Sequence, residues 1–334
     1  MTAIGGASAQ PDGRTHDDPA GHGNSRATGA SPRGRRAPRR TRRSRADGRS
    51  AAGFLSPLVI GFGAFTVFPV VYSLVMSFYD WPVFGQRVFV GLRNYGDLFD
   101  SDSFRQVVRN TLLIVLVYVP LNMVCSLTLS IWISGRIRGR NWYRVLFFIP
   151  AVTPVVANAL VWQLMFQPDG LAQRLWETVL PGRVPNFLGE GNWAMAVVVL
   201  MTLWQGVGYN TLIFSAALDA MPVDVLEAAT LDGATGWRRL RTMVVPLISP
   251  SIFFALVMTL IGAFQIFSEP FILTGGGPGN ATETLVTYLF HTGFKEYDMG
   301  LASAVAWIVF AGILVVTAVQ FTLQKRWVHY DSDK

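Results

Sequence analysis

The chain has 334 residues, of which 51% are hydrophobic and only 15% charged, and its net charge is +7. Soluble globular domains carry about 25% charged residues, so this composition argues against an ordinary soluble protein. The basic balance does not indicate nucleic-acid binding, because eleven of the 28 Lys and Arg residues precede residue 50. The single cysteine, Cys125, excludes an internal disulfide, and we interpret it as a small packing residue.

The first 50 residues are rich in Gly, Ser, Ala, Pro and Arg and contain almost no large apolar side chains. Such a segment cannot bury enough apolar surface to fold, so residues 1–50 are predicted to form a disordered, Arg-rich cytoplasmic tail. The basic run is too long for a signal peptide, and the apolar stretch after it is long enough to span a membrane. We expect the tail to fix topology; lipid binding is the alternative.

Six later stretches, each 24 to 30 residues long, contain no Asp, Glu, Lys or Arg. They are 50–79, 110–135, 145–168, 191–218, 242–268 and 299–324. A helix needs about 20 apolar residues to cross a bilayer. The fold class is therefore predicted as an all-α integral membrane protein with six transmembrane helices over residues 51–327 and a cytoplasmic tail at 328–334. Prolines in or near these stretches predict kinks. They are Pro57, Pro69, Pro120, Pro150 and Pro154.

The loops between the stretches differ in charge. Arg and Lys dominate the N-terminal tail, the loops at 135–141 and 238–241, and the end of the chain. Acidic residues outnumber basic ones in the segments 80–107, 169–190 and 269–298. Arg and Lys accumulate in short cytoplasmic loops, so a multi-pass protein of the cell membrane with both termini in the cytoplasm is predicted.

The loop at 221–246 is the most informative segment. Asp224 suits a helix N-terminus, and Gly233 suits the left-handed cap that ends a helix. A second short helix is predicted from Thr235 to Pro246, where the fifth span is expected to begin. The loop therefore reads as two short helices lying outside the bilayer.

This loop resembles the EAA loop of the permease subunits of binding-protein-dependent ABC importers. The residues that match its spacing are Glu227, Ala228, Ala229, Gly233 and Pro246. In that family the loop forms a helix that docks into a cleft on the ATPase subunit. The resemblance implies the type I ABC importer permease fold and, together with Asp232, assigns these residues to ATPase coupling.

Two further segments are similar to the carbohydrate-import branch of the family, the maltose and glycerol-phosphate type. They are residues 90–95 and the glycine-rich residues 273–278. The glycine-rich segment lacks the Gly-Lys-Ser/Thr ending of a P-loop, so a tight turn at the outer mouth is predicted. The resemblance implies a sugar substrate and four kinds of partner: a second permease subunit in a heterodimer, two copies of a cytoplasmic ATPase, an extracellular solute-binding protein, and membrane lipids.

The resemblance also suggests where substrate passes. The candidate path residues are Trp204, Gly206, Tyr209, Asn210 and Gln265. Trp204 offers a flat face for a sugar ring, and Gly206 leaves room beside it. Both aromatic rings can face one path only if the helix bends, which Gly206 and Gly208 would permit, or if the path is wide. Helix packing for the aromatic residues, and an interhelical hydrogen bond for Gln265, are the alternatives. Glu269, at the end of the fifth stretch, is a further candidate contact.

Two other classes of function fit the sequence less well, and one alternative substrate stays open. A secondary transporter normally carries ionisable groups inside its spans, and these stretches carry none. A membrane enzyme is disfavoured because all four histidines lie outside the stretches and no nucleophile elbow is present. A permease for another solute, such as glycerol phosphate, stays open. Without a Walker A sequence, the chain is expected to leave ATP hydrolysis to a partner. We expect no metal, cofactor or nucleic acid.

Overall fold

A computed structural model describes residues 43–135, 138–179, 182–222, 224 and 236–328, with side chains from residue 53 onward. Five of the predicted coupling residues lie outside the described residues. They are Glu227, Ala228, Ala229, Asp232 and Gly233. The chain divides into two compact units, residues 1–60 and 61–334.

The described part of the first unit is helical. Helix α1 (Arg43–Phe62) begins inside the segment predicted to be a disordered tail, so the helix starts about two turns earlier than expected. Arg, Ala and Ser are compatible with helix, which lets the apolar helix extend toward its N-terminus. Pro57 lies inside α1 without ending it.

A π-helical turn (Gly63–Val67) separates α1 from α2 (Phe68–Met76). Pro69 stands in the first turn of α2, directly after the π-helical turn, and does not end the helix. Two short antiparallel strands follow, β1 (Tyr79–Asp80) and β2 (Val88–Phe89). Helix α3 (Arg93–Asp100) then leads to α4 (Asp102–Ser134), which the Ser101 hydroxyl caps by accepting from the Phe104 N–H at 3.3 Å.

The third apolar stretch is two helices rather than the single helix that the sequence predicts. Helix α5 (Arg140–Val152) and helix α6 (Val155–Phe166) meet at 92°. Pro154 disfavours helical geometry at the residue before it, and Thr153 is accordingly extended. The predicted kink at Pro154 is confirmed, whereas Pro120 and Pro150 lie inside continuous helices.

Helix α7 (Leu171–Val179) leads toward α8 (Gly191–Asp219), which runs unbroken for 29 residues. The bend that Gly206 and Gly208 would permit is therefore absent, which leaves the wide path as the other alternative. The two glycines serve close packing instead, because a Cβ at Gly208 would overlap the Phe147 carbonyl of α5.

The fifth apolar stretch is also bent. Helix α9 (Gly236–Arg239), a π-helical turn (Leu240–Val244) and α10 (Val245–Leu247) form its first arm, and α11 (Ser249–Phe264) forms the second. The arms meet at 72°. The predicted short helix is present from Gly236 onward, but Pro246 does not open the span. The bend falls at Ile248, and the long apolar helix starts one residue later.

The remaining elements are α12 (Ser268–Thr274), α13 (Leu285–Phe290), a π-helical turn (His291–Lys295) and α14 (Met299–Gln324). Four helices of the described chain are long and apolar enough to cross a membrane by themselves. The number becomes six, as predicted, when each bent pair counts as one span. The all-α fold class is confirmed.

The core is built around α8, which packs against α4, α5, α11 and α12. A Cβ at Gly206 would overlap the Tyr118 hydroxyl of α4, just as one at Gly208 would meet α5. The packing of α4 on α8 therefore requires the hydrogen atom of Gly206, because a methyl group at this position would not fit beside Tyr118. The buried residues of this cluster include Ile114, Val198 and Met201.

We expect Gly208→Ala to destabilise the protein by about 1–3 kcal/mol, because the added methyl group forces α5 away from α8. The measurement is the free energy of unfolding in detergent. Gly312→Ala is the matched control, since a Cβ at this position of α14 meets no atom within 4 Å. Equal stability of the two variants would contradict the close packing of α5 on α8.

Candidate functional site

A cavity of about 550 Å³ opens between α4, the bend of α5 and α6, α8, α11 and α12. Its polar wall is mostly contributed by α8 and by the segment that joins α11 to α12. The residues that line it are Tyr118, Ala151, Val155, Thr202, Gln205, Gly206, Tyr209, Asn210, Met258, Thr259, Gly262, Ala263, Gln265, Ile266, Phe267, Ser268 and Glu269.

One stripe of α8 faces this cavity. Thr202, Gln205 and Tyr209 follow one another at intervals of three and four residues, which places them on one side of a helix. Gly206 and Asn210 lie beside the stripe and also reach the cavity. Because α8 is a continuous helix, only the residues on this side of it line the cavity.

Trp204 lies off this stripe and does not line the cavity. Its side chain is 44% exposed, and its ring centre lies 5.8 Å from that of Trp162 on α6. The structure therefore brings together four of the five predicted path residues, Gly206, Tyr209, Asn210 and Gln265, and leaves Trp204 apart from them. The idea that Gly206 leaves room for a ring also needs correction, since the Tyr118 hydroxyl occupies the space beside it.

A buried hydrogen-bond network crosses the floor of the cavity. The Asn210 side-chain amide donates to Asn122 Oδ1 at 2.5 Å and to Thr259 Oγ1 at 2.8 Å. The Ser126 hydroxyl of α4 donates to the Val207 carbonyl at 3.1 Å. These bonds join α4, α8 and α11, so Asn210 combines a cavity position with a role in helix association.

Sequence reasoning missed Tyr118, Thr202 and Gln205 as lining residues. Gln205 Oε1 is buried and has no hydrogen-bond partner among the described residues, so it is left available for a donor. The only signal in the sequence was the presence of polar side chains inside otherwise apolar stretches. Their direction depends on how α4 and α8 face each other, which the sequence alone does not show.

Glu269 stands in the first turn of α12 and lines the cavity. The residues beside it in the chain, Ser268 and Phe267, line it too. Glu269 forms no ion pair with any residue that the structure describes. Glu269 was named from the sequence as a further candidate contact, and the structure places it beside the predicted path residues.

The opposite end of α8 is held by charge. Asp219, the last residue of α8, accepts from Arg144 of α5 at 2.8 Å and lies 3.7 Å from the Arg140 guanidinium. Arg144 is the more buried of the two arginines. The predicted coupling loop starts two residues beyond Asp219, and its last residue, Pro246, lies in α10.

The glycine-rich segment forms a tight turn, as predicted. Gly275 and Gly276 adopt positive φ, and the Thr282 hydroxyl donates to the Gly277 carbonyl at 2.9 Å. Asn110 of α4 donates to the carbonyls of Asn280 and Glu283 at 2.8 and 3.0 Å, which anchors the turn on α4.

Behind this turn, the buried Glu283 carboxylate lies 2.7 Å from His291 Nδ1. Burial raises the pKa of Glu283, although the hydrogen bond from His291 acts in the opposite direction. The pair joins the loop to the π-helical turn after α13. Within the described residues, no group of three or more His, Cys, Asp or Glu side chains is placed to bind a metal ion.

Comparison with known proteins relates this architecture to membrane transport. The family model described as "Binding-protein-dependent transport system inner membrane component" matches residues 126–329. The probable ABC transporter permease protein YesP of Bacillus subtilis (strain 168) is 34% identical over 88% of this chain and 96% of its own length. The sn-glycerol-3-phosphate transport system permease protein UgpA of Brucella suis biovar 1 is 34% identical over 83% of this chain and 94% of its own.

A third relative is the probable starch degradation products transport system permease protein AmyD of Thermoanaerobacterium thermosulfurigenes, 29% identical over 82% of this chain and 94% of its own. Among solved structures, a bacterial ABC transporter involved in the import of the acidic polysaccharide alginate contains a similar chain. The TM-score is 0.72 at 20% identity, over 85% of this chain and 98% of that one. This likeness concerns the fold.

Proposed function

We propose that this chain, which belongs to the binding-protein-dependent transport system inner membrane components, is the permease subunit of an ATP-driven carbohydrate importer. The relatives are ABC transporter permeases, and the chain is a multi-pass membrane protein of that kind. The observation that carries the proposal is the cavity, where amide and hydroxyl groups stand beside an aromatic ring. These groups suit a sugar, whose hydroxyls form hydrogen bonds and whose ring faces are apolar.

The cavity supports one half of a translocation path. Tyr209 is 49% exposed in the single chain, and Gln265 is exposed as well. A second permease subunit in a heterodimer would cover these side chains and complete the path. We further propose that two copies of a cytoplasmic ATPase hydrolyse ATP and that an extracellular solute-binding protein delivers the substrate.

Glycerol phosphate is the second candidate substrate, because relatives in the family are named as permeases for it. Uptake into vesicles that contain the complete transporter separates the two candidates. The panel consists of radiolabelled monosaccharides, disaccharides and glycerol 3-phosphate. We expect a sugar, and not glycerol 3-phosphate, to accumulate in an ATP-dependent manner.

We propose that Tyr209, Gln205 and Gln265 contact the sugar, with Gly206 and Asn210 shaping the wall behind them. Tyr209 combines an exposed ring with a hydroxyl and therefore offers both kinds of contact. A stacking contact and one hydrogen bond together contribute roughly 1–3 kcal/mol. Trp204, which the sequence predicts as a path residue, lies outside this lining. It would contact the substrate only where the companion subunit completes the path.

We expect Tyr209→Ala to reduce sugar uptake about tenfold or more, while the complex assembles normally. The measurement is uptake beside the ATPase activity that loaded binding protein stimulates. Leu212→Ala is the control, since Leu212 is a similarly exposed residue of α8 outside the cavity lining.

Trp204→Ala is expected to reduce uptake less than Tyr209→Ala does. A larger loss with Trp204→Ala than with Tyr209→Ala would reverse the assignment. Gly206→Leu is unsuitable because of its overlap with Tyr118.

We propose that both termini lie in the cytoplasm, on the basis of the distribution of Arg and Lys. Reporter fusions after residues 138 and 236 should then score as cytoplasmic, and fusions after residues 94 and 279 as external. The fusion after residue 236 is decisive, because this residue lies within the proposed coupling loop. An external location for that fusion would remove the loop from the side where an ATPase acts.

The coupling loop is proposed to dock on the ATPase through Glu227, Ala228, Ala229, Asp232 and Gly233, with Pro246 closing the second short helix. Three features support it: the EAA spacing, the cytoplasmic charge pattern of this loop, and its start beside the ion pair of Asp219 with Arg144. The small alanine face would allow close approach, and the Glu227 carboxylate would pair with groups of the ATPase.

Glu227→Lys is expected to abolish uptake while the protein still reaches the membrane, because it inverts the docking charge. Gly233→Asp should do the same by adding a Cβ at a glycine that the sequence predicts to cap a helix. Glu177→Lys applies the same charge reversal to an exposed residue of α7, and uptake should persist. The measurements are membrane abundance, co-purification of the ATPase, and uptake. Normal uptake by both loop variants would exclude the docking role.

A further inference from the structure

One carboxylate dominates the charge of the cavity. Of the seventeen residues that line it, Glu269 is the only one with a charged side chain, and the lining contains no Arg, Lys or His. Its polar companions are neutral hydroxyl and amide groups, chiefly those of Tyr209, Gln205 and Gln265. The described half of the path is therefore negatively charged.

Within the described residues, no cationic side chain forms an ion pair with Glu269. The ion pairs formed by the described residues lie elsewhere, at the ends of helices and in the loops. Glu269 is part-buried, and apolar residues such as Ile266 and Phe267 flank it in the chain. Walls of low dielectric strengthen the field of a charge inside a cleft, so the carboxylate acts on any solute that enters.

We infer that Glu269 selects the charge class of the substrate: the cavity accepts neutral sugars and sugars that carry an ammonium group, and rejects anionic sugars. This rests on the proposed function and narrows it. An anionic solute would stand beside an unpaired carboxylate without a compensating cation, and such unfavourable pairing is a common source of specificity. An amino sugar would instead form a charge-assisted hydrogen bond with Glu269.

The inference separates this chain from proteins that resemble it. The similar solved transporter is described as importing the acidic polysaccharide alginate, and several relatives are named as glycerol-phosphate permeases. Cationic side chains form the strongest hydrogen bonds with a phosphate or carboxylate, and the residues that line this side of the path include no Arg, Lys or His. A similar fold therefore does not determine whether the substrate is neutral, cationic or anionic.

The charge can be measured without knowing the natural substrate. Gly262 lines the cavity, and a Cβ at this position meets no atom within 4 Å, so Gly262→Cys places a thiol there. Cys125→Ser removes the only native cysteine. The complete transporter is treated with a cationic trimethylammonium methanethiosulfonate or with its anionic sulfonate counterpart. The rate at which each reagent modifies the introduced cysteine is measured from the increase in mass of this chain. This rate is then divided by the rate at which the same reagent modifies a small thiol in solution.

We expect the cationic reagent to react faster than the anionic one after this normalisation. Glu269→Gln should lower the ratio of the two rates by about tenfold, because the carboxylate attracts one reagent and repels the other. Glu269→Asp, which retains the charge, should preserve the ratio. An unchanged ratio in Glu269→Gln overturns the inference. If Glu269→Gln fails to fold, the parent decides alone: a normalised ratio near one overturns the inference, and a ratio that falls with added salt supports it.

Protection by three sugars of the same ring size then separates this inference from the proposed function. Glucose, glucosamine and glucuronate are neutral, cationic and anionic, respectively, at neutral pH. We expect glucose and glucosamine to slow modification of the introduced cysteine and glucuronate to leave it unchanged. Equal protection by glucuronate overturns the charge selection. If no sugar protects, the carbohydrate function fails, while the rate ratio still decides the charge of the cavity.

Discussion

The arrangement of the membrane helices depends on the contact between α4 and α8. Hydrocarbon offers no hydrogen-bond partners and gives little apolar drive for helices to associate, so close backbone approach and interhelical hydrogen bonds hold such helices together. Gly206 provides the approach to α4, Gly208 provides a similar approach to α5, and Asn210 provides the hydrogen bonds to Asn122 and Thr259. Because these residues share one helix with Tyr209, the contact that fixes α8 also fixes the wall of the cavity.

The two bent spans give that wall its shape. At the 92° bend, the Asn158 side chain donates to the Pro150 carbonyl at 3.2 Å, which satisfies an acceptor that the break in the helix would otherwise leave unpaired. The bend carries Ala151 and Val155 to the cavity on its two arms. A straight helix through this stretch would present a continuous apolar face to lipid and would leave the cavity without this side.

Sequence patterns predicted what depends on local composition. Charge-free stretches predicted the six spans, Pro154 predicted a break, and Gly275 with Gly276 predicted a turn. The patterns failed where the answer depends on a neighbouring helix. A glycine that allows a helix to bend cannot be distinguished in sequence from one that allows a neighbouring helix to pack closely. At Gly208 the nearby Phe147 carbonyl shows that the glycine serves close packing. Whether Trp204 or Gln205 faces the cavity likewise depends on the orientation of α8 about its own axis, which is fixed by its contact with α4. The path residues and the coupling loop stay predictions.

A continuous set of contacts joins the proposed coupling loop to the cavity. Asp219 ends α8 directly before the loop, and its ion pair with Arg144 binds that end to α5. Further along, the backbone of α5 at Phe147 lies against Gly208, so α5 and α8 are joined at two levels. Since Ala151 of the same helix lines the cavity, a force that moves Asp219 acts on two cavity walls at once. One pair of helices, α5 and α8, therefore carries both the wall of the proposed sugar site and the ion pair next to the proposed coupling loop.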